Sequence, residues 1–345
     1  MTPDGPAGPI RGKIIRGEPM RLGSFMPVNS IWKPLLASLQ ERFPGHEILA
    51  GPEAAQAALP SLDGILAGRL DRALFESAIS LQALFVPFTG LNHLPADLLL
   101  ERGVKVYNVH GQAPGVAERA LALALAFYGR VVEFHNDLSR AHWHGFWAGR
   151  GAKDQWESLY GRPCAIFGTG AIGTALAGLL KAFHCPVTGC RRRGDAPVPP
   201  GFDRIETDLR RAVAEAELLF IALPLTPATR GLFSRELLLS ARGKFLVNVG
   251  RGPIVDEEGL YLALRDGVLK GAGIDTWYTY PVGQDLDGAP SSFPIHHLPN
   301  VILSPHVGGS TTEGVRIAAL ETMENLAQWL QTGTCGRQAD LAEMY

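Results

Sequence analysis

The chain has 345 residues, 46% of them hydrophobic, and a formal net charge of −2. That length suggests roughly two domains, and the near-neutral charge argues against general affinity for nucleic acid or an anionic membrane. Four cysteines (Cys164, Cys185, Cys190, Cys335) form no C-x-x-C pair and no run is apolar enough for a membrane helix, so the expectation is a reduced, cytoplasmic protein.

Residues 1–19 are rich in Pro and Gly, lack an apolar signal-like core, and read as a loose leader. From Met20 to Asn108 short apolar runs alternate with amphipathic stretches. Strands are expected at Met20–Met26, Glu47–Ala50, Gly64–Ala67, Ala83–Pro87 and Val104–Tyr107, with helices between them, including Ile31–Arg42 and Arg72–Ser80. That alternation predicts a parallel sheet covered by helices. One long helix is expected over Gly115–Ser139, apolar enough for burial on several sides. A Trp-rich loop follows (Trp143, Trp147, Trp156).

A second alternating region opens at Arg162. Strands are expected at Cys164–Gly168, Val187–Cys190, Leu218–Ala222, Lys244–Asn248, Gly271–Asp275 and Val301–Leu303. Helices are expected at Ala171–Phe183, Arg210–Ala216 and Glu257–Asp266, and again from Thr311 to Gln331. The fold class is therefore α/β, with two doubly wound, Rossmann-like parallel sheets.

The first strand of this second region runs directly into G-x-G-x-x-G at Gly168, Gly170 and Gly173. In that context the first glycine permits a tight turn, the second lets backbone approach a pyrophosphate, and the third lets helix and strand pack closely. The plain alternative is a tight strand-to-helix turn without a ligand. About twenty residues further on, where an acidic residue would hold the ribose of NAD, the chain has Cys190 followed by Arg191, Arg192 and Arg193. A missing carboxylate and a basic run suit a 2′-phosphate, which favours NADP(H) and leaves NAD(H) as the alternative. A solvated basic turn is the plain reading.

Further segments extend the pattern in order. They are Leu223-Pro-Leu-Thr226, Asn248-Val-Gly-Arg251-Gly252-Pro-Ile-Val-Asp256, Gly271-Ala-Gly-Ile-Asp275 and Ser304-Pro-His306-Val-Gly-Gly-Ser-Thr311. With the glycine fingerprint they resemble the D-isomer-specific 2-hydroxyacid dehydrogenases, from about Leu81 to Thr311. The resemblance implies a dinucleotide-binding domain (113–308) inserted into a split catalytic domain (20–112 and 309–345). It implies reduction of a small 2-oxo acid, with His306 as the acid/base and Arg251 holding the carboxylate. A histidine titrating near neutrality suits the proton transfer, and a planar guanidinium suits the carboxylate. The resemblance also implies substrate contacts from the loop Phe88-Thr89-Gly90. It implies cofactor contacts from Gly168, Gly170, Ala171, Ile172, Gly173, Arg191, Arg192, Leu223, Pro224, Thr229, Val249, Gly250, Asp275, His306 and Gly308. A homodimer is expected through the apolar Gly115–Ser139 helix.

One position departs from the family. Tyr280 stands where a glutamate usually pairs with the catalytic histidine. Three readings stay open: Tyr280 orients His306 in a working reductase, it signals a different hydride donor such as formate or phosphite, or turnover is lost in a nucleotide-sensing, corepressor-like protein. Glu257 and Glu258 look like solvated residues at a helix start. His142-x-His144 shows no further ligands in the sequence, so no metal site is expected. His110 and His296-His297 read as structural or loop histidines.

Overall fold

The computed structural model describes residues 18–149, 151–283 and 285–344, so most of the expected leader lies outside the described residues. The chain divides into two compact units. One runs to Gln112 and resumes at Thr312, and the other is Ala113–Thr311.

The first unit is built on β1 (Arg21–Ser24), β2 (Glu47–Ala50), β3 (Gly64–Leu66), β4 (Ala83–Val86) and β5 (Lys105–Asn108). All pairs are parallel, in the order β2-β1-β3-β4-β5. The helices α1 (Trp32–Arg42), α2 (Pro52–Ala57), α3 (Arg72–Ser77) and α4 (Ala96–Glu101) connect them. Strands β3 and β4 are buried throughout, which is why they read as unbroken apolar runs rather than as alternation. Successive side chains serve opposite faces. Ile65, Leu84 and Val106 fill one core, and Leu66, Phe85 and Tyr107 the other.

In the second unit the expected single helix is two. α5 (Ala113–Tyr128) stops before Gly129, and α6 (Val131–Ser139) restarts after Arg130, whose backbone is left-handed at φ 50°. The left-handed residue breaks the intrahelical ladder. The Arg130 guanidinium is held by Glu133 and by the Lys153 carbonyl. The two halves then differ. α5 buries Ala117, Ala120, Leu123 and Ala124 within its own unit, whereas α6 buries none of its residues. The apolar character of α5 is therefore satisfied inside the unit. Among the described residues from Ala113 to Gly149, the exposed large apolar side chains belong to α6 and the segment after it: Val131, Val132, Leu138, Trp143 and Trp147.

The sheet of this unit contains β6 (Cys164–Phe167), β7 (Val187–Cys190), β8 (Arg204–Glu206), β9 (Leu218–Ile221), β10 (Phe245–Asn248), β11 (Gly271–Ile274) and β12 (Val301–Leu303). Between them lie α7 (Ala171–Ala182), α8 (Leu209–Glu215), α9 (Arg235–Ser240) and α10 (Glu257–Arg265). Its order is β12-β11-β10-β9-β6-β7-β8, all parallel. The order reverses between β6 and β9, which is where open α/β sheets of this kind bind ligands, beyond the carboxyl ends of the strands.

The last helix, α11 (Thr312–Thr332), returns to the first unit. Its Trp329 is fully buried against Phe85, with ring centroids 5.5 Å apart. The Glu321 carboxylate accepts the N–H groups of His110 and Gly111 at 3.0 and 2.9 Å. This pins the end of the first sheet to α11.

Candidate active site

Strand register puts the candidate residues of the second unit at one level. Cys190, Phe167, Ile221, Asn248, Ile274 and Leu303 are aligned partners across the sheet. The next residues along the chain are therefore Arg191, Gly168, Ala222, Val249, Asp275 and Ser304, all leaving the sheet at its carboxyl edge. Arg251 and His306 each sit three residues beyond this aligned row. Their strands, β10 and β12, are two positions apart, about 10 Å at the usual strand spacing.

The turn after β6 fits a dinucleotide. Gly168 has φ 103°, a conformation that L side chains rarely adopt, and a Cβ there would lie 2.7 Å from the Ala222 carbonyl oxygen. A Cβ on Gly173 would strike the Gly168 carbonyl, so only glycine lets α7 approach β6 this closely. Gly170 is the N-cap of α7 and offers no side-chain cap, which leaves the first helical N–H groups for an anion. After β7, the Arg191 guanidinium turns toward the carbonyls of Ala196 and Pro197, while its buried Nε has no hydrogen-bond partner. Arg192 is exposed. Burial, with Glu206 nearby, pushes the Cys190 thiol up to about 12, so position 190 supplies a neutral group and not a substitute carboxylate. Two cationic residues, Arg191 and Arg192, therefore follow β7, with the Glu206 carboxylate near Cys190.

Beyond β9, Leu223 and Pro224 lead into a turn tied by Thr229. Its hydroxyl donates to the Pro224 carbonyl at 2.6 Å and accepts from Thr226 N–H at 2.8 Å. Beyond β10, Asn248 shapes the Arg251 loop. Its side chain accepts the Gly250 N–H at 3.1 Å and donates to the Arg251 carbonyl at 3.0 Å. Arg251 is half-buried, and its Nη1 donates to the Gly250 carbonyl at 2.7 Å.

The His306 loop hangs on Asp275, which is 2% exposed. One carboxylate oxygen accepts from the Ser304 hydroxyl and from Val307 N–H at 3.0 Å, and the other accepts from Gly308 N–H at 3.1 Å. Trp277 Nε1 adds a bond to the Ser304 carbonyl at 2.8 Å. Between these anchors His306 is held at φ 58°, a left-handed conformation uncommon for a non-glycine residue. Asp275 is expected at the cofactor. In the structure both its oxygens are engaged by the loop that carries His306.

Tyr280 lies beside His306, with ring centroids 5.3 Å apart and planes inclined at 48°. Its hydroxyl accepts the Trp277 N–H at 2.9 Å. The glutamates near the arginine motif are engaged elsewhere. Glu257 is half-buried and accepts from the Ser291 hydroxyl at 2.7 Å and from Ser292 N–H at 2.6 Å, so it is not a solvated helix-start residue. Glu258 faces Arg235 at 3.6 Å.

The Phe88-Thr89-Gly90 loop belongs to the first unit, where it follows β4. Thr89 donates its hydroxyl to the Val109 carbonyl at 3.1 Å, and its own carbonyl accepts from Asn108 Nδ2 at 2.8 Å. The Phe88 ring sits 5.5 Å from that of His93. His110 is buried, and burial together with Arg337 lowers its pKa to about 4, so its imidazole is neutral at pH 7. The H-x-H pair, expected to stand without further ligands, instead has Asp137 and Asp154 beside it.

Residues 121–308 match the family model described as the NAD binding domain of D-isomer specific 2-hydroxyacid dehydrogenases. The chain is similar to glyoxylate/hydroxypyruvate reductase B of Pectobacterium carotovorum subsp. carotovorum (strain PC1), 32% identical over 299 residues, covering 85% of this chain and 90% of that one. It is 30% identical over 319 residues to the protein of the same name from Yersinia enterocolitica, covering 88% and 94%. Among solved structures it is similar to an NADPH-dependent glyoxylate/hydroxypyruvate reductase from Sinorhizobium meliloti, in complex with NADP and malonate. The TM-score is 0.73 and the identity 25%, with 94% of this chain and 98% of that chain covered.

Proposed function

We propose that this chain, which belongs to the D-isomer specific 2-hydroxyacid dehydrogenase family and is an NAD(P)-dependent oxidoreductase of that family, reduces a small 2-oxo acid such as glyoxylate or hydroxypyruvate to the D-2-hydroxy acid, with NADPH preferred. A nicotinamide cofactor held at the carboxyl edge of this sheet would supply the hydride that C2 receives. Arg251 pairs with the substrate carboxylate and draws electron density toward the carbonyl. His306, as imidazolium, donates its proton to the carbonyl oxygen as charge develops there. Tyr280 orients the imidazole through its ring.

The observation that carries this reading is the register. Arg251 and His306 leave the sheet three residues past one aligned row, on the same edge as the glycine fingerprint. The NADPH preference rests on Cys190 in the carboxylate position and on the buried, unpartnered Nε of Arg191. The test is NADPH consumption by purified protein across a panel of 2-oxo acids, with dissociation constants for NADPH and NADH measured on wild type and Arg191→Ala. Turnover of glyoxylate or hydroxypyruvate, and NADPH affinity lost selectively in the variant, are expected. Tight NADPH binding without turnover of any 2-oxo acid would replace the reductase with a nucleotide-sensing protein. Equal wild-type affinity for the two cofactors would remove the preference.

A further inference from the structure

The end of α6 and the segment after it hold a second cluster, outside the catalytic machinery. Asp137, His142 and His144 each offer a ligand atom, and these atoms lie within 4.8 Å of one another. His144 is built in on several sides. Its Nδ1 meets the Asp154 carboxylate at 3.0 Å, and its Nε2 meets Asp137 at 2.8 Å. The Asp154 side chain is 3% exposed, and its second oxygen accepts Gly145 N–H at 2.7 Å. The Phe134 ring lies 4.7 Å from the imidazole, centroid to centroid. The turn is closed by His142 N–H, which donates to the Asp137 carbonyl at 2.9 Å. That bond brings the His142 ring edge-on to His144, with centroids 5.2 Å apart and planes at 78°.

We propose that Asp137, His142 and His144 bind one divalent transition-metal ion of the zinc class, with Asp154 as the buried carboxylate that orients His144. Two imidazoles and one carboxylate are the nitrogen and oxygen donors such an ion takes, and water completes a tetrahedron. A histidine ligand commonly donates its other ring N–H to a carboxylate, which fixes the tautomer and aims the free nitrogen at the metal. Asp154 stands in that position, on the ring nitrogen opposite the one facing Asp137. The required movement is small. Tetrahedral ligand atoms at about 2.1 Å from zinc are separated by about 3.4 Å. The His144–Asp137 pair therefore opens by about 0.6 Å, and no pair closes by more than about 1.4 Å, within the reach of the exposed His142 side chain.

Asp137 and Asp154 flank the His144 imidazole, and a metal ion would add His142 to that set. Exposed Arg140 lies 3.9 Å from the other Asp137 oxygen and swings out as the ion enters. The consequence is a clip that ties the Trp143–Trp147 segment to the end of α6. These two side chains are 63% and 81% exposed, so the metal fixes the backbone that presents them.

The test uses the tag-free, chelator-stripped full-length protein. Zinc affinity is read by competition with a chromophoric chelator, and geometry by the visible spectrum of the cobalt(II)-loaded protein. Wild type is expected to bind one zinc per chain, with an intense tetrahedral cobalt spectrum. His142→Ala, an exposed position whose loss leaves the fold intact, should weaken zinc binding at least tenfold. Asp154→Asn should weaken it by about 10- to 100-fold, as expected for a carboxylate behind a histidine ligand. His296→Ala, at the neighbouring-histidine pair elsewhere in the chain, should bind like wild type. An octahedral cobalt spectrum, or the same zinc affinity in His142→Ala as in wild type, would overturn the proposal. Loss of the binding in His296→Ala would overturn it equally.

Discussion

Replacing Asp275 by Asn removes one acceptor from a site that needs two oxygens. In the wild type, three donors converge on the carboxylate: the Ser304 hydroxyl, Val307 N–H and Gly308 N–H. An asparagine can keep its oxygen toward Ser304 and Val307, but its NH2 then faces the Gly308 N–H, donor against donor. A hydrogen bond to a charged group contributes about 1.5–3 kcal/mol, and leaving a buried donor unsatisfied costs about 1–3 kcal/mol. With Asp275 only 2% exposed, water does not compensate, and Asp275→Asn should lose about 2–4 kcal/mol of stability by these values. The same three bonds hold His306 in its left-handed conformation. Once they slacken, the imidazole leaves its productive position, and misplacement by about 1 Å costs on the order of 100-fold in rate. Urea unfolding and steady-state kinetics on one preparation read both effects. A variant that unfolds within about 0.5 kcal/mol of wild type, the size of an ordinary surface change, with kcat unchanged, would refute the loop-holding role.

Three further outcomes follow. Tyr280→Glu places a carboxylate beside the His306 ring, which favours imidazolium. The pH profile of 2-oxo acid reduction should therefore bend at a higher pH than in wild type, and an unmoved inflection would mean that position 280 does not act on His306. His110 takes up its proton at about 4 when folded and at about 6.5 when unfolded. Between those values the unfolded state binds more protons, so stability falls as pH drops, by up to about 3 kcal/mol. His110→Gln should flatten that part of the stability–pH curve, and parallel curves would contradict the buried neutral imidazole. Exposed Val131, Val132 and Leu138 on α6, with Trp143 and Trp147 after it, form the surface through which a homodimer is expected. Light scattering on Val132→Glu/Leu138→Glu protein checks this against wild type, and identical masses would remove α6 from the interface.

Much of the fold could be read from residue order because both sheets are parallel and buried. The central strands β4, β6, β9 and β10 are covered on both faces and appear as continuous apolar runs. The edge strand β8, with Arg204 and Glu206 in three residues, carries no such signal, and the six-residue helix α9 is too short to show periodicity. The break between α5 and α6 was hidden because an arginine, not a glycine, takes the left-handed position there. Arg251 and His306 were legible through motif and spacing. The bonds that position them were not. Asp275 and Ser304 are 29 residues apart in sequence, and only the β11–β12 register makes them neighbours. Asp154 likewise lies ten residues beyond His144, across a loop whose course no local pattern dictates.

The most direct test of the central claim is Arg251→Ala in glyoxylate and hydroxypyruvate reduction. Removing a charge-assisted contact made to both substrate and transition state should lower kcat/KM by about 2–4 kcal/mol in barrier terms, roughly 30- to 1,000-fold. The NADPH dissociation constant should stay within about twofold, since the guanidinium is assigned to the substrate and not the cofactor. A variant that reduces both acids as efficiently as wild type would contradict the account.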